Sequence, residues 1–170
     1  MLSNIVQSKI DRMLEQAFEC ADEEKFHDAL RFYDLALQEE PENINALVDK
    51  GVTLQNMGRI KQAIRSYDKA LVLSPLHLDA LLNKGTALHS DEKYPEAIEC
   101  YDTALKIDKK CAMALAYKGL SLGEMGNLPD AIKYFKKALS IDKHYDLANI
   151  SKEIAQNLLK SIKEKNSKKP

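Results

Sequence analysis

The sequence predicts an all-α fold, four helix–turn–helix units closed by a C-terminal capping helix, and three observations carry that prediction. The composition favours helix: among 170 residues only 6 are glycine and 5 proline, while Ala, Leu, Lys, Glu and Asp abound. One phrase recurs every 34 residues, as DALRFYDLALQEE (28–40), QAIRSYDKALVLS (62–74), EAIECYDTALKID (96–108) and DAIKYFKKALSID (130–142). Its apolar places keep a helical spacing rather than a strand alternation. Ala29, Ala63, Ala97 and Ala131 are followed four residues on by Tyr33, Tyr67, Tyr101 and Phe135, then by Ala36, Ala70, Ala104 and Ala138, and at the next residue by Leu37, Leu71, Leu105 and Leu139.

Taken in order, the chain opens with Ile5, Val6, Ile10, Met13, Leu14, Ala17 and Phe18, a stripe that predicts a helix starting near residue 4. Phe26, Ile60, Tyr94 and Leu128 keep the period ahead of each recurring phrase. In front of the last three phrases stand ALVDKGVTLQNMG (46–58), ALLNKGTALHSDE (80–92) and ALAYKGLSLGEMG (114–126), which share Leu, then Lys-Gly, then Leu. Gly58, Gly126 and the SDEK of 90–93 mark turns between the halves. Pro95 and Pro129 suit the first turn of the second helix, and Pro41 and Pro75 stop that helix in the first two copies. Lys109 and Lys143 stand there in the other two, which must end without that device. Last, residues 146–164 place Leu147, Ala148, Ile150, Ile154, Ala155, Leu158, Leu159 and Ile162 on one half of a helix, with Lys152, Glu153, Gln156, Lys160 and Lys163 on the other. A single helix pair cannot bury its own apolar face, so the copies must stack and their ends must be capped.

These residues resemble the tetratricopeptide repeat, whose pattern is W-x2-L-G-x2-Y, then A-x3-F, then P over 34 residues. Four copies, 10–43, 44–77, 78–111 and 112–145, fit it. Leu47, Leu81 and Leu115 stand in the Trp place, ahead of Lys50-Gly51, Lys84-Gly85 and Lys118-Gly119. The chain has no Trp, and Gln16-Ala17 replaces the Gly pair in the first copy. The resemblance implies one domain over 1–164, shaped as a right-handed α-solenoid of about half a superhelical turn, with a short basic tail over 165–170 expected to be flexible.

The resemblance also implies a protein or peptide partner, held in a concave groove lined by each unit's first helix. The matching residues are Leu14 and Phe18; Asn45, Val48, Asp49, Val52 and Asn56; Asp79, Leu82, Asn83, Thr86 and His89; and Met113, Tyr117 and Leu120. The row is apolar along its middle and acidic or amide-bearing beside it, without Lys or Arg. The chaperone-adaptor branch of the family grips an acidic C-terminal peptide with cationic side chains, but the corresponding places here hold Leu14, Phe18, Asp49, Asp79 and Asn83. A ligand carboxylate set against Asp49 and Asp79 would be repelled. The expected ligand is instead an apolar or amphipathic segment with basic flanks. The competing expectation is self-assembly into a homodimer through the capping or N-terminal helix.

Other function classes find little support in the sequence. A net charge of −1 gives no general attraction to nucleic acid or anionic membrane. No apolar run is long enough to cross a bilayer, and the first residues lack the basic and apolar regions of a secretory signal, so a cytoplasmic protein is expected. Cys20, Cys100 and Cys111 have no CxxC spacing, and His27, His77, His89 and His144 form no ligand motif; neither a metal nor a cofactor is expected. No Gly-rich phosphate loop or nucleophile elbow is present, so neither catalysis nor a small-molecule substrate is expected. Residues 152–170 carry six lysines against two glutamates, without interleaved aromatics, as a solubilising end does.

Overall fold

Each 34-residue copy folds as two helices joined by a short turn, and in the first, second and fourth copies the two helices pack against each other. The computed structural model describes residues 2–167, with side-chain surroundings for 7–165. Among them are nine helices: α1 (Leu2–Asp22), α2 (Phe26–Glu39), α3 (Ile44–Asn56), α4 (Ile60–Leu73), α5 (Leu78–Ser90), α6 (Tyr94–Ile107), α7 (Ala112–Glu124), α8 (Leu128–Ile141) and α9 (Asp146–Ser167). The fold is an all-α helical-repeat solenoid. The first helix begins two residues before its expected start, and α9 runs three residues past 164 into the segment expected to be a flexible tail. Residues 168–170 lie outside the described residues, and so do the side chains of Ile5 and Val6.

The turns repeat as faithfully as the helices. Glu24 (φ 58°), Gly58 (72°), Glu92 (59°) and Gly126 (79°) stand 34 residues apart, and each adopts the left-handed conformation that ends a first helix. Glycine takes that conformation without strain; the two glutamates do not. At the start of the following units, three different side chains cap one place: the Asn43 carboxamide oxygen, His77 Nδ1 and Cys111 Sγ accept the N–H groups of Ala46, Ala80 and Ala114 at 2.9, 3.3 and 3.4 Å. Pro95 and Pro129 do sit in the first turn of α6 and α8. Where Pro41 and Pro75 are missing, a carboxylate replaces them. Asp108 and Asp142 accept the N–H groups of Lys110 and His144, each at 2.9 Å, in local turns that lead the chain away from the helix.

Two compact units divide the chain, Met1–Asp91 and Glu92–Pro170, with the boundary between α5 and α6 inside the third repeat. In the first unit the core is built from repeat-invariant alanines with no exposed surface and from the rings of Tyr33 and Tyr67. The alanines let helices approach and the rings fill the space beside them. Gly51 shows how close that approach is, since a Cβ there would stand 2.8 Å from Cδ1 and Cζ of Tyr67. In the second unit a Cβ on Gly119 would stand 2.7 Å from Cε1 of Phe135. The Lys of each Lys-Gly pair reaches back to the preceding copy: Lys50 to Asp34, Lys84 to Asp68 at 2.7 Å, and Lys118 to Asp102 at 2.5 Å. Burial lowers the Lys118 ammonium's pKa, but its bonds to Asp102 and Tyr134 and their charge outweigh that and raise it overall.

Candidate functional site

Within the first unit α1 touches α3 and α3 touches α5, whereas α2 and α4 do not touch each other. The first-helix side is therefore the crowded, inner side of this unit. In the second unit α7 likewise touches α9, while α6 and α8 stay apart. The candidate residues project from these inner helices, and the structure sorts them by how much each leaves open.

In the first unit Val48 and Leu82 are packed away, at 5% and 7% exposure, and serve the core more than the surface. Leu14, Val52, Asn83 and Thr86 are half-buried, as is His89; Asn45, Asp49, Asn56 and Asp79 are exposed. Phe18 is the most open apolar group in this set, at 66%. A hydrogen-bonded chain fixes the middle of the face. Tyr67 donates its hydroxyl to the Gln55 carbonyl oxygen at 3.1 Å, the Gln55 amide donates to the Thr86 hydroxyl at 3.2 Å, and Thr86 donates to the Asn83 carbonyl at 2.9 Å. This relay ties the second copy to the third and commits Thr86, leaving Val52 as the accessible apolar group beside it.

The electrostatics of this face are acidic. Although Asp49 stays exposed as a whole, the packed wall around its carboxyl removes part of its water, and the nearby charge of Asp79 adds repulsion; both push its pKa above the ordinary carboxylate value. Burial, and then the charge of Asp49, push the Tyr33 hydroxyl up to about 12, and the same two causes raise Tyr67. A cation placed between Asp49 and Asp79 would relieve the repulsion; an anion would deepen it.

In the second unit Ala116 is fully buried, and Met113, Tyr117 and Leu120 are half-buried. Tyr117 stacks on Tyr101 with ring centroids 6.1 Å apart. An open trough between α7 and α9 is lined by Leu120, Glu124, Ser151, Ile154 and Leu158. Three of these belong to the capping helix, which the sequence reading left out of the groove. Extending the 34-residue register past 145 supplies the missing signal, since Ile150 and Ile154 fall at the fifth and ninth places of a fifth unit, where Val48 and Val52 stand in the second.

Among the described residues, no group of three or more His, Cys, Asp and Glu side chains is arranged to hold a metal ion, and no helix is long and apolar enough to cross a membrane.

Comparison with known proteins agrees with this geometry. Two models of the tetratricopeptide repeat match residues 48–110 and 112–145. No curated protein matches the sequence. Among solved structures, MamA superposes with a TM-score of 0.79 at 25% identity, over 87% of this chain and 81% of that one. PilF of Pseudomonas aeruginosa gives 0.81 at 19% identity, over 92% and 71%. YrrB, described as a TPR protein with an unusual peptide-binding site, gives 0.73 at 20% identity, over 91% and 84%. With four in-phase helix pairs, alanines and rings at the repeat-invariant places, and two family models covering most of the last three copies, the chain belongs to the tetratricopeptide-repeat family of protein-interaction scaffolds.

Proposed function

We propose that this chain is a non-catalytic scaffold that binds an apolar or amphipathic protein segment with basic flanks along its inner, first-helix face. The observation that carries the reading is the Asp49–Asp79 pair beside Val52, two carboxylates held close enough for one to raise the pKa of the other on a face whose candidate residues include no Lys or Arg. A basic flank would satisfy both carboxylates while an apolar side chain covers Val52, as an amphipathic helix does in a groove. Acidic chaperone tails would be rejected by the same pair. The exposed Phe18 offers an apolar anchor at the opposite end of the first unit's face. The single-domain organisation over 1–164 is part of the same proposal. The three free cysteines fit a reducing compartment, the cytoplasm.

Fluorescence polarisation with synthetic amphipathic peptides of equal apolar content and opposite flanking charge tests this reading. The Lys-flanked peptide should bind, and Asp49→Asn with Asp79→Asn should weaken it at least tenfold, about 1.4 kcal/mol. Phe18→Glu should weaken it too, without loss of helicity. Equal binding of the acid-flanked peptide, or no effect of the double variant, would reject the reading. Leu82 is an unsuitable probe because a charge at a site 7% exposed would unfold the unit rather than block a surface.

A further inference from the structure

We propose that α9 is a self-pairing helix, through which two copies of the chain join in an antiparallel, two-fold arrangement. The proposal is independent of the peptide reading, because it rests on α9 and on none of Phe18, Asp49, Val52 and Asp79, and its occupant is of different identity.

In register, α9 begins as the first helix of a fifth unit but runs unbroken to Ser167, past residue 162 where a second helix would begin. The side on which such a helix would pack is polar. Asn149, Glu153 and Gln156 stand where the complete units have Leu47, Leu81 and Leu115; Gly51, Gly85 and Gly119; and Leu54, Leu88 and Leu122. A Cβ at Gly51 or Gly119 already collides with an aromatic ring of the paired second helix, so Glu153 bars a second helix of this kind from pairing with α9.

Its other open side is apolar. Ile150, Ile154, Leu158 and Ile162 are 59%, 62%, 50% and 42% exposed, a stripe of four large side chains spaced every four residues. At 1.5 Å per residue it runs for roughly 18 Å. Ala148 and Ala155, on the flank turned to the body of the unit, are buried, so the stripe is left over after the cap has packed. Such a surface on one helix calls for a partner.

Two features select a second copy. The stripe is symmetric about residue 156: a two-fold axis there sets Ile150 against Ile162 and Ile154 against Leu158 of the other copy, pairing an aliphatic with an aliphatic at every step. The exposed charges have a matching polarity. Asp146 opens α9 in line with the stripe, four residues before Ile150, and Lys165 stands beside its far end, while Glu153, Lys160 and Lys163 lie on the polar half of the helix. Antiparallel pairing sets Asp146 of one copy beside Lys165 of the other at both ends, whereas parallel pairing would set like against like.

Sedimentation velocity of the full chain over a concentration series, from about 1 μM upward, tests this. The expected result is a reversible monomer–dimer equilibrium whose midpoint lies on the order of tens of micromolar, the strength suited to an interface at the small end of the stable range. Ile154→Glu, at an exposed site that leaves the fold intact by circular dichroism, should abolish the dimer. Lys165→Glu should weaken it at least fivefold, and adding Asp146→Lys should restore it. A wild-type chain still monomeric at roughly 500 μM would overturn the proposal and leave the stripe to another protein. So would a dimer indifferent to Ile154→Glu. A dimer lost with Ile154→Glu but not restored by the charge swap would overturn the antiparallel arrangement.

Discussion

Replacing Gly51 by alanine sets two effects of known size against each other. Within a helix, alanine is favoured over glycine by about 1 kcal/mol. Against that, the new Cβ would stand 2.8 Å from two atoms of the Tyr67 ring, where carbon atoms normally rest at about 3.5–4.0 Å. The ring cannot swing aside freely. It has no exposed surface, and its hydroxyl is bonded to Gln55, which is bonded in turn to Thr86 of the next copy. Overpacking of this kind costs about 1–3 kcal/mol, and loss of the Tyr67–Gln55 bond adds about 1 kcal/mol. The net expectation is destabilisation by about 1–3 kcal/mol, a fall in Tm of roughly 3–10 °C for a chain of this length. Gly123→Ala is the control. It also lies in a first helix, but its Cβ would meet only the Cβ of Ala131, at an ordinary 3.8 Å, so the propensity gain should stand alone and raise stability by about 1 kcal/mol. Urea and thermal unfolding followed by circular dichroism measure both. If the two variants shift stability in the same direction, close approach of the Tyr67 ring is not the reason glycine stands at position 51.

Three further outcomes follow from single residues. Glu92→Gly should stabilise by about 0.5–1 kcal/mol in the same assay, because relief of left-handed strain, about 1–2 kcal/mol, exceeds the entropy that glycine adds to the unfolded chain. Tyr101→Phe should be neutral or stabilising by up to about 1 kcal/mol, since its buried hydroxyl has no hydrogen-bond partner, whereas Tyr67→Phe should destabilise by orphaning Gln55. Asp49→Asn should stabilise at pH 7. The carboxyl titrates above its unfolded value of 3.8 in the folded protein, so its ionised form opposes folding at neutral pH, and the advantage of the variant should disappear as the pH falls through the raised folded pKa toward 3.8. Unfolding curves for both proteins between pH 3 and 7 would show parallel rather than converging stabilities if that account were wrong.

The helices were legible because period and spacing are backbone properties that each copy states independently. The strained turns were legible only in part. Gly58 and Gly126 announce a left-handed residue, but Glu24 and Glu92 occupy the same place without the composition that signals it. The caps at Asn43, His77 and Cys111 hide for the same reason, since one geometric task is carried out by three chemistries. Exposure along the inner face was not legible at all. The family pattern gives the fifth place to the groove, yet Val48, Leu82 and Ala116 are covered, because how far a side chain is buried depends on how closely the neighbouring helix approaches. Ninth-place residues, from Val52 to Leu120, keep the accessible edge.

In a repeat protein the informative residues are those that break the repeat at a cost the repeat could avoid. The sixth place of the complete units shows that alternatives fit, since it holds Asn83 in the third and the stacked Tyr117 in the fourth. The first two units place a carboxylate there, Glu15 and Asp49; Asp49 stands against the charge of Asp79 and partly out of water, and both conditions disfavour its charged form. Stability alone would replace it with asparagine. On the proposed reading this cost is offset outside the fold, by a cation that a bound segment brings to a face without cations among its candidate residues. The same variant therefore separates the two roles of the residue: Asp49→Asn should make the protein more stable and its grip on a basic segment weaker.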